Sequence, residues 1–324
     1  MRRIEHKLGI HGSATCELQF NNTPGTLIGE RRRGLSKYTM WLMNQARLGI
    51  AGQALGIAEA AYREADKYAK ERMQFGKKIR EMTQVYEMLA DMKIAIEAGR
   101  TLYYETARIV DIKEGLDEAI EKHPERASEL AEEAKRYAKY AGLLTPIIKA
   151  YNTEMSNKVA YDAIQIHGGT GYMQEFNAER HARDARITNI YEGTTQLQVV
   201  AALGGIVSGV AMEKINDYAS EDYAHAPELF QKAEKLKNIF EKTVSHVKGR
   251  ENSEYTEYHS RRLVEMCTDV FMCYLLLRDG KHTERKLKVA ECFMEKASGR
   301  IEGLSYFILN EKASLLENYK EIIN

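Results

Sequence analysis
The chain has 324 residues, enough for one or two domains with cores of their own. Hydrophobic residues make up 44% and charged residues 29%, the mixture of a soluble globular protein. Lys and Arg together number 47, as do Asp and Glu, and this balance excludes the electrostatic footprint of a nucleic-acid binder.

Taken in chain order, the opening differs from the rest. Cys16, Leu18 and Phe20 alternate with polar residues after a Gly-containing turn, which predicts a strand. The run Asn21-Asn-Thr-Pro-Gly25 breaks it. From about residue 36 the pattern is helical almost throughout. A long helix is predicted over 36–72, with Ala51, Ala54, Leu55, Ala58 and Tyr62 as its apolar stripe. A second is predicted over 83–111, where Val85, Leu89, Met92, Ile96, Leu102 and Thr106 recur at helical steps. Residues 112–126 are polar and read as a connection. A third helix is expected over 126–167, kinked or divided at Pro146, where a backbone donor is lost. Gly168-Gly-Thr-Gly171 ends it. A short helix over 179–183 and a longer one over 194–218 follow. Pro227 suits the first turn of the next helix. Four more helices fit 227–248, 254–278, 282–298 and 300–321, and Leu263, Cys267, Val270, Tyr274 and Leu277 line one of them.

Most chemical motifs are missing. The cysteines are Cys16, Cys267, Cys273 and Cys292, none in a CxxC pair, so neither a disulfide framework nor a zinc site is indicated. A reducing cytoplasm is the expected setting. The nine histidines form no ligand spacing, and no metal is expected. The apolar run over 271–277 is far too short for a transmembrane segment. Residues 1–7 lack the apolar stretch of a signal peptide. The Gly-rich run over 203–209 lacks the spacing of a dinucleotide fingerprint and reads as helix packing.

One constellation stands apart. Gln165-Ile-His-Gly-Gly-Thr-Gly-Tyr172 is followed by Arg183-Asp-Ala-Arg186 and then by Ile190-Tyr-Glu-Gly-Thr-Thr-Gln196. Alone, Glu192 is explained as a carboxylate near the N-terminus of the following helix, with Thr194 and Thr195 as caps. Upstream, however, stands Glu71-Arg-Met-Gln-Phe-Gly-Lys77, and before it Arg47 precedes Leu-Gly-Ile-Ala-Gly-Gln-Ala-Leu-Gly-Ile-Ala58. These motifs, in this order and spacing, resemble the signatures of the flavin-dependent acyl-CoA dehydrogenases. The stretches Lys7-Leu-Gly-Ile-His-Gly-Ser13 and Cys16-Glu-Leu-Gln-Phe20 resemble the last strands of that family's middle β domain. The resemblance covers residues 7 to about 205.

The resemblance implies oxidation of the Cα–Cβ bond of an acyl-CoA thioester to a trans-2-enoyl-CoA. FAD takes the hydride and a carboxylate takes the α-proton. The matching base is Glu192, and a general base works best with a pKa near the operating pH. In the family, the backbone N–H of the base and a flavin hydroxyl stabilise the developing enolate, which is oxyanion-hole logic. By resemblance, Arg72, Gln74 and Phe75 contact the FAD of a neighbouring subunit. Gln165, Gly168 and Gly169 lie against its adenosine and pyrophosphate, where glycine lets backbone N–H groups approach closely. Thr194 and Gln196 are further FAD contacts. Gln84 is another, one residue later than the family spacing. Asn44, Arg47, Tyr191 and Gly193 match acyl-CoA contacts, with Asn44 where the family often has an acidic residue. An electron-transfer flavoprotein is the implied electron acceptor. Because the family's FAD sites lie across subunits, a homodimer or homotetramer is expected.

The expected fold class is mainly α: the acyl-CoA dehydrogenase C-terminal four-helix bundle over 36–212, a short β remnant over 1–35, and a helical extension over 213–324. The family's N-terminal domain and most of its β domain have no counterpart in this sequence. The alternative expectation is therefore a catalytically inactive helical oligomerisation fragment, or one subunit of a split enzyme.

Overall fold
The computed structural model describes residues 1–324, apart from the side chain of Met40. It is 77% helical, with ten α-helices. They are α1 (Met40–Glu71), α2 (Thr83–Lys122), α3 (Ala127–His167), α4 (Asn177–Ala185), α5 (Thr195–Val207), α6 (Val210–Ala219), α7 (Pro227–Gly249), α8 (Ser253–Gly280), α9 (Glu284–Asn310) and α10 (Ser314–Ile323). Two small antiparallel ribbons complete it, β1 (Arg3–Ile4) with β2 (Cys16–Glu17) and β3 (Met73–Gln74) with β4 (Lys77–Lys78).

Five elements differ from the sequence expectation. The strand predicted over 16–20 shrinks to β2, and Leu18 and Phe20 are exposed. The expected connection after 111 is helix up to Lys122. Ile112, Leu116 and Ile120 keep a half-buried stripe there, and Lys113–Asp117 and Lys122–Glu118 pair one turn apart. Pro124 then stops the helix, because the residue before proline disfavours the helical region. Pro146 does not divide α3. The carbonyl that loses its donor and meets the ring belongs to Gly142, which is exposed and can turn that carbonyl to water. Conversely, the helix expected over 194–218 breaks into α5 and α6, bent by 72° at Gly209, whose φ is +94°. Near the end, α9 runs unbroken past Gly299 because Ala297, Ile301, Ser305 and Ile308 continue its buried stripe.

Two compact units emerge. The first comprises residues 1–93 and 152–194. Its spine is α1, where Ala51, Ala54, Ala58, Ala61, Ala65 and Ala69 are fully buried and let neighbouring backbones approach. Asn152 Nδ2 on α3 donates to the Ala51 carbonyl at 3.1 Å. The N-terminal ribbon segment is held on α4: Asp184 Oδ1 accepts from Ile10 N–H at 2.5 Å, and Arg183 Nη1 donates to the Leu8 carbonyl at 3.1 Å.

The second unit comprises residues 94–151 and 195–324. Helix α8 is its centre and is buried on all sides from Met266 to Leu277, with α9 and α7 packed on it and on each other. Two carboxylates of α2 reach into this unit. Glu97 accepts from Arg285 Nη1 at 3.2 Å and lies 2.9 Å from Lys286 Nζ. Glu105 pairs with Arg108 at 2.6 Å and Arg278 at 3.0 Å and accepts from the Tyr218 hydroxyl at 2.7 Å. Burial pushes the Glu97 carboxyl up, but its hydrogen-bonded cations outweigh that and hold it down at about 2. Among the described residues no single helix is long and apolar enough to cross a membrane; the bent α5–α6 pair passes by length and composition alone.

Candidate functional site
The functional residues expected from the sequence fall mostly in the first unit, on three structural features. The first is the β3–β4 hairpin after α1. Asp66, one turn before the end of α1, binds Lys70 at 2.6 Å and Arg80 at 2.9 Å, which ties the far side of the hairpin to the helix. Burial pushes the Asp66 carboxyl up, yet hydrogen bonds from Lys70 and Arg80 prevail and hold it below its usual range. The hairpin closes through two residues of positive φ, Phe75 at +48° and Gly76 at +78°, the geometry of a type I′ turn. Ile79 is buried beneath it, and its N–H donates to the Arg72 carbonyl at 2.9 Å. The result displays Arg72, Gln74 and Phe75 outward, with the Phe75 ring 93% exposed.

The second feature is the turn that ends α3, a tight helical turn from Gly168 to Tyr172. Gly168 takes φ +62°, and a Cβ at Gly168 or Gly169 would meet nothing within 4 Å. Gly171 is the opposite case, since a Cβ there would stand 2.7 Å from the Ile164 carbonyl oxygen. The preceding His167 is buried and its Nδ1 pairs with the Ala163 carbonyl at 2.7 Å. Its ring stacks on Tyr68 at 4.4 Å between centroids, and Phe176 packs edge-on against both. The Thr170 hydroxyl lies 3.1 Å from the Tyr68 hydroxyl. Thus α1 and the end of α3 build an aromatic platform beneath a bare glycine backbone. Gln165 stands exposed one turn earlier.

The third feature is the segment between α4 and α5. Asn157 Nδ2 and the Thr188 hydroxyl both donate to the Ala185 carbonyl, at 3.0 and 2.7 Å, and fix where α4 ends. Turn bonds from Ile190 N–H and Tyr191 N–H to the Ile187 carbonyl, at 2.9 and 3.1 Å, carry the chain to Glu192. Glu192 adopts φ +53°, a left-handed conformation that is uncommon for a residue with a side chain, and Gly193 follows at +95°. Arg47 Nε donates to the Glu192 carbonyl at 3.4 Å, and Arg47 Nη1 donates to Asn44 Oδ1 at 3.2 Å. The Tyr191 hydroxyl donates to Gln53 Oε1. Glu192, Gly193 and Thr194 are half-buried.

The structure therefore brings Asn44, Arg47, Tyr191 and Glu192 together around one loop. Arg72, Gln74 and Phe75 share the hairpin, and Gln165, Gly168 and Gly169 share the turn. Gln84 stands exposed in the first turn of α2, and Gln196 in the first turn of α5. Sequence reasoning missed Gln53, Tyr68 and Phe176. Tyr68 left a signal, an aromatic residue among the alanines of α1, whereas Gln53 left none.

The residue types fit parts of a flavin dinucleotide. Bare backbone at Gly168 and Gly169 suits a pyrophosphate, Arg72 offers an exposed cation, and Phe75 an exposed ring.

Comparison with known proteins gives these features a family. The model of the acyl-CoA dehydrogenase C-terminal domain matches residues 33–202, and a second, described as acyl-CoA dehydrogenase C terminal, matches residues 207–316. The chain is 37% identical over 206 residues to a short-chain specific acyl-CoA dehydrogenase of Megasphaera elsdenii, covering 63% of this chain and 47% of that one. It is 36% identical over 217 residues to the CarC subunit of the caffeyl-CoA reductase–Etf complex of Acetobacterium woodii, covering 66% and 49%. Among solved structures, butyryl-CoA dehydrogenase from Megasphaera elsdenii aligns with a TM-score of 0.52 at 36% identity, over 63% of this chain and 48% of that one. An acyl-CoA dehydrogenase complexed with FAD from Bacillus anthracis shares the fold over 98% of this chain and 58% of its own, with a TM-score of 0.76 at 20% identity. The chain spans about half the length of the curated relatives it matches. With a family model over more than half of its length, this chain belongs to the acyl-CoA dehydrogenase family, whose C-terminal region it carries.

Proposed function
We propose that this chain works as an FAD-dependent acyl-CoA dehydrogenase, with Glu192 as the base that removes the α-proton of an acyl-CoA thioester. The observation that carries this reading is the conformation of Glu192. Its backbone is held in the left-handed region beside Gly193, and such outliers persist where surrounding contacts over-determine them, often at active sites. The carboxylate takes the α-proton as the Cα–Cβ double bond forms. When bound, FAD supplies the acceptor for the β-hydrogen as hydride, so the substrate loses one proton and one hydride. Negative charge develops on the thioester oxygen, and the Glu192 N–H is the proposed donor to it. Asn44, Arg47, Tyr191 and Gly193 are the proposed acyl-CoA contacts. Arg72, Gln74, Phe75, Gln84, Gln165, Gly168, Gly169, Thr194 and Gln196 are the proposed FAD contacts, partly across a homodimer or homotetramer. We further propose an electron-transfer flavoprotein as the acceptor, and the name of the Acetobacterium relative, a subunit of an Etf complex, supports this. Helix α1 and the bundle over 36–212 are the proposed catalytic body, with 213–324 as its extension.

A second reading is favoured by a different observation. Phe20, Leu27, Ile28, Trp41 and Leu42 are all more than half exposed, and apolar side chains that come together at a surface mark a contact for further protein. In this reading the chain is the helical part of a larger flavin site, or an oligomerisation unit. The visible spectrum of the purified chain with FAD and a panel of acyl-CoAs separates the two. A flavin band that bleaches with an acyl-CoA supports the first reading. A colourless protein that ignores FAD supports the second.

A further inference from the structure
The loop that carries Glu192 is tied to α1 on both sides of the Glu192 Cα. On the near side, the Tyr191 hydroxyl donates to Gln53 Oε1. On the far side, the Glu192 carbonyl accepts from Arg47 Nε at 3.4 Å. Both ties come from one helix, in which Ala51, between them, and Ala54, just beyond Gln53, are fully buried. We propose that Gln53 is a positioning residue for Glu192, acting through the Tyr191 hydroxyl.

This inference rests on the reading of Glu192 as the base. A side-chain-bearing residue is disfavoured in the left-handed region. The energy at stake is of the same order as the net contribution of one side-chain hydrogen bond. The Tyr191–Gln53 bond is thus of the size needed to decide whether Glu192 keeps its backbone conformation. The donor is permanent, because burial pushes the Tyr191 phenol up and keeps it protonated at working pH. Gln53 is exposed on its other side and has no place in the core, so its substitution leaves α1 packing intact.

The test is amide hydrogen exchange of the full chain near neutral pH, followed by mass spectrometry over 186–194. Gln53→Leu is expected to speed exchange of that segment about five- to tenfold while 54–71 in α1 exchanges as before, and Tyr191→Phe is expected to do the same. Gln53→Glu keeps an acceptor oxygen and should restore protection. Unchanged exchange over 186–194 in Gln53→Leu overturns the proposal, as does equal acceleration along α1 or failure of Gln53→Glu to restore protection. Glu192→Gln is assayed separately for flavin reduction. If that variant is fully active the base assignment fails, whereas the exchange data report on the tie itself.

Discussion
Arg47 Nε donates to the main-chain carbonyl of Glu192 at 3.4 Å. The proposed base is therefore anchored to α1 through its backbone carbonyl. Substitution of the carboxylate and substitution of the anchor should consequently separate. Glu192→Gln keeps the size and loses the base. Flavin reduction by acyl-CoA, followed by stopped-flow absorbance, is expected to fall roughly 10²–10⁴-fold. Full activity in that variant would remove Glu192 from the mechanism.

The glycines of the turn after α3 divide sharply. Gly171→Ala places a Cβ 2.7 Å from the Ile164 carbonyl oxygen, and such overpacking costs about 1–3 kcal/mol. Thermal melts should show a clear loss. Gly169→Ala meets nothing within 4 Å, so its melting temperature should match the wild type. If the glycine backbone holds the pyrophosphate, the same Gly169→Ala protein should retain less FAD on desalting.

Acid stability should carry the mark of Glu97. Its carboxyl sits at about 2 in the folded chain against 4.5 unperturbed, because Arg285 and Lys286 outweigh burial. Between those values the unfolded chain binds the extra proton. The stability is present above pH 4.5 and is lost as pH falls through 2, by about 3 kcal/mol at most. Urea unfolding at several pH values should give a steeper acid limb for the wild type than for Glu97→Gln.

His259 acts over a higher window and in the opposite chemical sense. It is 1% exposed, ringed by Tyr255, Tyr258 and Phe307, and neither ring nitrogen has a hydrogen-bond partner among the described residues. Burial, then Arg262 and His246, push it down from 6.5 to about 4. The unfolded chain protonates first as pH drops. Stability holds above pH 6.5 and falls progressively as pH is lowered through 4, by about 3 kcal/mol at most. His259→Phe should flatten unfolding free energy between pH 6.5 and 4 and leave neutral stability equal or higher, since it also removes two unsatisfied nitrogens. An unchanged slope would show that His259 does not govern this range.

The helical fold and the motif loop were legible because both rest on local chemistry. The stripe of α8 from Leu263 to Leu277 is periodic, and all of it is buried. The site residues expected around Glu192 came from motif order, and Asn44, Arg47 and Tyr191 lie together at that loop. What escaped was set by competition between neighbours. The polar surface of 112–122 hid a helix held by one-turn ion pairs. Pro146 was tolerated because residue 142 happens to be an exposed glycine. The break at Gly209 needed a left-handed φ that one glycine among several in that run does not announce. Gln53 is an ordinary helix-surface glutamine until the Tyr191 ring reaches it.

Glu97 and Glu105 sit two turns apart on α2, each nearly fully buried and each neutralised by cations from α8 or α9. A descendant that lost residues after α6 would keep both acids and lose Arg278, Arg285 and Lys286 together. Glu105 would keep Arg108 and the Tyr218 hydroxyl, whereas Glu97 would lose Arg285 and Lys286. The last third of this chain is thus not an ornament that drift can trim. Shedding it is expected to go with a change at position 97, whose paired cations Arg285 and Lys286 lie on α9.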